Sequence, residues 1–145
     1  MTVNVKAGDS PKFYAMIRDI YGDPLSVSAA ELDEFSYTVY KVAGGRRFPV
    51  EGFVDVPIDS SCYHVEPLDV PTGLVGDSFE EYNVEIFPYR AVEVDGVSEW
   101  VSPFSEVNAN YDLAVKMRYA MGDPALDGTA FINKEFAIRI NVSEA

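Results

Sequence analysis

The sequence predicts an all-β fold, an antiparallel β-sandwich, and three observations predict it. Apolar and polar residues alternate with a period of two in run after run. Turn sequences rich in Gly, Asp and Pro separate those runs, and no stretch carries the 3.6-residue apolar period of a helix. Half-buried alternating strands suit antiparallel sheets, which wet one face, whereas parallel sheets usually need continuous apolar strands. The 145 residues suit one domain spanning residues 1–145. A domain of this size buries roughly two-thirds of the surface that its unfolded chain exposes, so it needs no crosslinks.

The runs follow in chain order. Lys12 to Asp19 sets Phe13, Ala15 and Ile17 against Tyr14, Met16 and Arg18. Glu34 to Val42 sets Phe35, Tyr37 and Val39 against Ser36, Thr38 and Tyr40. One member of each tyrosine-bearing pair therefore faces away from the core. Tyr82, Val84 and Ile86 alternate with Asn83 and Glu85. Tyr111, Leu113, Val115, Met117 and Tyr119 oppose Asp112, Ala114, Lys116, Arg118 and Ala120, and Phe136, Ile138, Ile140 and Val142 close the chain against Ala137, Arg139 and Asn141. Asp95-Gly96 between Val92–Val94 and Val97–Val101 is a two-residue hairpin signal, because both turn positions need positive φ. Gly44-Gly45 joins Tyr37–Val42 to Arg47–Val50 in a looser hairpin. Gly22-Asp23-Pro24, Gly122-Asp123-Pro124 and Asp127-Gly128 are further turns. Ser28-Ala29-Ala30-Glu31 and Ser78-Phe79-Glu80-Glu81 have capping-box spacing with no helical run behind them, so both read as one-turn connectors. Residues 62–76, with Pro67 and Pro71, read as a long ordered loop.

Charge excludes several function classes. The chain has 11 basic and 24 acidic residues, a net charge of −13. Phosphate backbones require clustered Lys and Arg, and anionic membranes repel acidic proteins, so neither nucleic acid nor membrane is an expected partner. A single cysteine rules out an internal disulfide framework. The start Met1-Thr2-Val3-Asn4-Val5-Lys6 has no apolar core of a signal peptide, which predicts synthesis in a cytoplasm. Asn141-Val142-Ser143 matches the glycosylation sequon, a pattern short enough to arise by chance.

A family resemblance rests on Gly8-Asp9-Ser10, the apolar run Phe13 to Asp19, and Gly22-Asp23-Pro24-Leu25, together with Tyr111-x-Leu113-x-Val115 and the closing Phe136 to Val142. These segments, within residues 1–42 and 108–145, resemble an immunoglobulin-like module of bacteriophage virion and bacterial surface proteins. The resemblance implies an immunoglobulin-like β-sandwich with an extended middle region of hairpins and loops, in which Tyr111 takes the part of a tyrosine corner. The Cys–Trp–Cys core of antibody domains is absent, since only Cys62 and Trp100 are present. Residues 43–107 exceed what a minimal sandwich needs, and loops of that kind carry specific contacts.

Few residues mark chemistry. Cys62, His64 and Glu66 share a strand face by spacing, a set that suits a zinc ligand group or a nucleophile pair, or equally a half-buried cysteine beside a surface histidine. Glu80-Glu81, Asp19 with Asp23 and Asp123 with Asp127 offer oxygen ligands for Ca²⁺, but none has EF-hand spacing and Asp in a turn ordinarily binds backbone amides. No cofactor or metal is therefore expected. Gly44-Gly45-Arg46-Arg47-Phe48 concentrates positive charge and suits a head-to-tail contact with an acidic neighbour, or a solvated hairpin tip. Trp100, Pro103 and Phe104 after the Asp95-Gly96 hairpin suit an exposed apolar edge. The candidate interface is thus Arg46, Arg47, Phe48, Trp100 and Phe104. Nine Phe, nine Tyr and one Trp exceed what one core accommodates, and surface Tyr and Trp favour interfaces.

The resemblance, joined to these readings, implies a non-enzymatic structural protein of a bacteriophage particle. The expected role is a capsid decoration (cement) or neck or tail component, made in the host cytoplasm and ending in the virion. Its expected partners are other virion proteins, capsid or tail, and copies of itself. A carbohydrate-binding or adhesion module that uses loop Tyr, Trp and Asp is the alternative. A small hydrolase would need two carboxylates placed across a cleft.

Overall fold

A computed structural model describes residues 2–71, 81–121 and 130–144. The strands are β1 (Thr2–Lys6), β2 (Phe13–Ala15), β3 (Leu32–Ala43), β4 (Arg46–Pro49), β5 (Val56–Pro57), β6 (Tyr63–Asp69), β7 (Glu81–Ile86), β8 (Arg90–Val94), β9 (Val97–Val101), β10 (Asn110–Met121) and β11 (Ala130–Ser143). Among the described residues helix is confined to single 3-10 turns at Ala29–Glu31 and Ser60–Cys62. The protein is all-β, with mixed and antiparallel sheets.

The larger sheet runs β1-β11-β10-β3-β4, and β5 also pairs with β3. Its centre is β10, which pairs antiparallel with β11 from Asn110 to Met121 and with β3 from Asn110 to Tyr119. Period-two patterning sends Val39, Leu113, Val115 and Ile140 inward, all at 0% exposure. A smaller antiparallel sheet, β2-β7-β6, covers that face. Phe13, Tyr63, Val84 and Ile86 from the small sheet meet Val3, Tyr37, Tyr111 and Ile138 from the large one in a single core. At full burial each such side chain contributes about 1.5–3 kcal/mol relative to exposure.

Phe13 and Tyr37 are buried while Tyr14 and Tyr40 are only partly so, as the alternation requires. The pattern falls short in four places. The run from Lys12 keeps strand pairing only over Phe13–Ala15, because Asn83 fills in beyond it. The Asn83 amide accepts from the Ile17 N–H at 2.7 Å and donates to the Ile17 carbonyl at 2.8 Å, replacing a strand partner with a side chain. The stretch read as loop from Cys62 holds β6, whose register breaks between Tyr63 and Leu68, so no clean alternation marks it. Residues 72–76 of that expected loop lie outside the described residues, as do the turns at Gly122-Asp123-Pro124 and Asp127-Gly128 and most of Ser78 to Glu81.

The remaining two concern pairing. β1 runs parallel to β11, with Val3 against Ile140 and Val5 against Val142. An antiparallel sheet throughout was the expectation, but the first and last strands share no short turn that would force opposed directions. Gly44-Gly45 closes a tight two-residue turn, not a loose one. Its φ values are 59° and 76°, and Ala43 and Arg46 pair directly across it.

Tyr63, not Tyr111, is the tyrosine whose hydroxyl ties back to the main chain among the described residues. It donates to the Val27 carbonyl at 2.6 Å and the Leu25 carbonyl at 3.1 Å. Tyr111 packs edge-on against Phe104 instead. Burial pushes the phenols of Tyr63 and Tyr37 up from 10.0 to about 12. Unfolding returns both to ordinary titration, so between pH 10 and 12 the unfolded chain releases protons that the folded one keeps. The stability these groups contribute is whole below pH 10 and is lost as pH rises towards 12. Urea midpoints measured across that window should fall with pH, and the Tyr63→Phe variant should fall less steeply while starting lower. A flat profile there would contradict the burial of both phenols.

Candidate interaction surface

The β8–β9 hairpin stands apart from both sheets. It forms because Asp95 and Gly96 take φ of 53° and 77°, the two left-handed positions of a type I′ turn, and Val94 pairs with Val97 across it. Pairing assigns the faces. Ala91 lies opposite Trp100 and Glu93 opposite Ser98 on one face, while Arg90 with Val101, Val92 with Glu99 and Val94 with Val97 make the other.

Apolar side chains on this hairpin meet solvent. Trp100 is 69% exposed, Val97 63% and Val94 46%. Scattered single apolar residues on a surface need no explanation, but here exposed apolar groups occupy both faces of one hairpin, Trp100 on one and Val94 with Val97 on the other. Glu93, Asp95 and Glu99 are exposed among them, so the hairpin is both apolar and acidic.

Its base is fastened. The Arg90 guanidinium lies over the Phe53 ring at 5.8 Å from the centroid. It also lies against Gly52, where a Cβ would come within 2.4 Å of Arg90 Nη1. Gly52 has φ 86°, a left-handed position that favours glycine. Tyr89 meets Trp100 edge-on at 4.4 Å and Phe87 at 4.2 Å, building a three-ring ladder. The ladder lines a groove of about 350 Å³ with Ser10, Val101 and Ser102 at its rim. Those hydroxyls are already committed as donors: Ser10 Oγ gives its proton to the Pro88 carbonyl at 2.5 Å and Ser102 Oγ to the Asp9 carbonyl at 2.7 Å. The groove therefore offers ring surface and hydroxyl lone pairs.

The five candidate interface residues divide. Phe104 is not at the surface: it is 0% exposed and sits edge-on between Phe13 at 5.8 Å and Tyr111 at 5.5 Å. The reading of Trp100, Pro103 and Phe104 as one exposed edge fails because the chain turns inward after β9. The Phe104 carbonyl accepts from Gly8 N–H and its N–H donates to Ser102 Oγ at 3.1 Å, pinning the segment to the body.

Arg46 and Arg47 point to opposite faces of β4, since they pair with Ala43 and Val42. Arg47 is engaged: its Nε donates to Asp112 Oδ2 at 2.9 Å and its guanidinium lies 5.2 Å from the Tyr40 ring centre. Asp112 is 5% exposed and also accepts from Arg139 Nε at 2.5 Å. One carboxylate thereby clamps β4, β10 and β11. Arg46 forms no ion pair among the described residues, and it shares its face with Phe48, 50% exposed. The outer edge of β4 carries no further strand among the described residues.

Elsewhere the geometry serves structure. Burial pushes the Cys62 thiol up, and the negative charges of Glu85 and Asp59 add to it, so the reactive thiolate is disfavoured. His64 Nε2 stands 3.7 Å from Glu85 Oε1, and Lys12 reaches the same carboxylate at 3.6 Å. Asp19 Oδ1 accepts from the Tyr21 and Asp23 amides at 2.8 and 3.1 Å, a turn role that occupies the oxygen proposed for Ca²⁺. Among the described residues no group of three or more His, Cys, Asp or Glu gathers as a metal site, and Glu80, Asp123 and Asp127 lie outside them. No helix of the described residues is long and apolar enough to cross a membrane.

Compared with known proteins, the chain matches no family model, no curated protein and no solved structure.

Two contrasts check this placement. Phe104→Ala should cost about 3–5 kcal/mol in chemical denaturation, whereas Trp100→Ala should cost about 1 kcal/mol or less, since it loses one ring contact and little burial. Asp112→Ala should cost about 1 kcal/mol by removing charge-assisted hydrogen bonds to two half-exposed guanidinium groups. A stable Phe104→Ala variant, or a Trp100→Ala variant that unfolds, would reverse the assignment of core and surface.

Proposed function

We propose that this protein is a non-enzymatic structural part of a larger assembly, bound through its β8–β9 hairpin. The observation that carries the reading is the exposure of Trp100, Val94 and Val97 on an element anchored at its base by Arg90 and Tyr89. Large apolar groups on a preordered element bury area with little loss of rotamer freedom, which is what a binding hot spot requires. The resemblance within residues 1–42 and 108–145 supports an immunoglobulin-like sandwich and a bacteriophage particle as the setting, with capsid decoration or a neck or tail position as the role. A net charge of −13 favours the outside of a shell, away from packaged DNA.

Particles purified from cells carrying the gene should contain the chain at a fixed copy number by quantitative mass spectrometry. Trp100→Ala and Val97→Asp chains should be missing from those particles while remaining folded in the soluble fraction. A wild-type chain found only in the soluble fraction would overturn the reading.

The aromatic ladder favours a second reading, a carbohydrate-binding or adhesion module, because sugar rings stack on Trp and Tyr faces. Ligand binding raises the melting temperature by mass action. A glycan-dependent rise that Trp100→Ala abolishes would favour this reading over the first.

A further inference from the structure

We propose that the partner of the hairpin is a second copy of this chain, and that β9 adds as a strand to the free edge of β4 in that copy. The proposal deepens the assembly reading and rests on it.

Among the described residues both edges lack a neighbour. β9 is an outer strand of a two-stranded sheet, and β4 ends the order of the larger sheet. A hairpin of two strands is marginal alone in water, and unpaired backbone donors and acceptors on an edge are a template for further pairing. Joining them would extend the larger sheet across the contact through main-chain hydrogen bonds.

Side chains select the match. On β9, Val97 and Glu99 share a face; on β4, Arg46 and Phe48 share a face. In one antiparallel register Val97 lies opposite Phe48 and Glu99 opposite Arg46, so an apolar pair and an ion pair form together. Directly opposed residues of that kind stabilise a sheet, while like charges opposed destabilise it. In the same register Trp100 lies opposite Gly45, whose missing side chain leaves room for the indole. Charge also disfavours the self-matched contacts. Hairpin against hairpin would bring together two elements whose exposed charges near the turn, Glu93, Asp95 and Glu99, are all acidic, and β4 against β4 would bring together two that both carry Arg46 and Arg47. The contact is therefore between unlike surfaces, which builds rings or runs of copies where such a contact is repeated.

A charge exchange tests it. In sedimentation velocity the wild-type chain should form species of two or more copies as concentration rises. Arg46→Glu and Glu99→Arg should each weaken association by at least about tenfold, and the double variant R46E/E99R should restore it. All four residues involved are exposed, and circular dichroism melts should show every variant folded. A chain that stays monomeric to about millimolar concentration, or association that neither reversal weakens, would overturn the proposal. A monomer still found in particles would do so while leaving the assembly reading intact.

Discussion

The pairing of β10 with neighbours on both sides is the constraint from which the rest of the structure follows. Twelve consecutive residues of β10 meet β11, and ten of its positions meet β3, so the side-chain alternation of all three strands is locked in phase. A slip of one residue would send Leu113, Val115 and Met117 to solvent and bring Asp112, Lys116 and Arg118 into the core. The smaller sheet then has a defined apolar surface to cover, and Phe13, Val84 and Ile86 cover it. On the opposite face the same phase places Asp112 between Arg47 and Arg139, Lys116 near Asp55 at 3.9 Å, and Arg118 near Asp33 at 3.5 Å. Seven charged side chains, four basic and three acidic, are thus paired beside that face.

Against this body the β8–β9 hairpin is an exception, since its valines and tryptophan gain nothing from the core. Folding has no need of an exposed Trp100, and a solvated turn would join β7 to β10 equally well. Its ordered base distinguishes it from a loose loop: Arg90 on Phe53 and Gly52, Tyr89 between Phe87 and Trp100, and Ser102 tied to Asp9 hold both ends in place. A rigid apolar element of this kind loses little entropy when a partner covers it.

Alternation made most of this body legible in the sequence, because β3, β7, β10 and β11 each turn an apolar face to the core, although Ser36, Thr38, Asn83, Asp112 and Ala114 on the opposite faces are buried as well. The Asp95-Gly96 turn was equally readable, whereas Gly44-Gly45, with the widest choice of conformations open to it, read as a looser hairpin than the tight turn it forms. The rest was hidden for physical reasons. β5 is two residues long and β6 is interrupted by a register break, so neither leaves a clean local signal, while β1 alternates Val3 and Val5 with polar residues but finds its parallel partner more than a hundred positions away. The surface was legible only in part. Exposure of Trp100 follows from its place on a hairpin, but Phe104 turns inward through hydrogen bonds of Gly8 and Ser102 that no spacing rule encodes. The adjacent Arg46 and Arg47 read as one basic pair, and only the pairing of β4 with β3 separates them, giving Arg47 to Asp112 and leaving Arg46 beside Phe48.

Trp100 is the chain's single tryptophan, so its fluorescence reports on the hairpin alone. Emission maximum and acrylamide quenching, measured first on the dilute chain and then on the assembled form, test the central claim most directly. The dilute chain should emit as a solvated indole and quench freely; on assembly the emission should shift to the blue and the quenching should fall several-fold. An indole that stays equally solvated and equally quenched in the assembled form would contradict the hairpin's role as the bound surface.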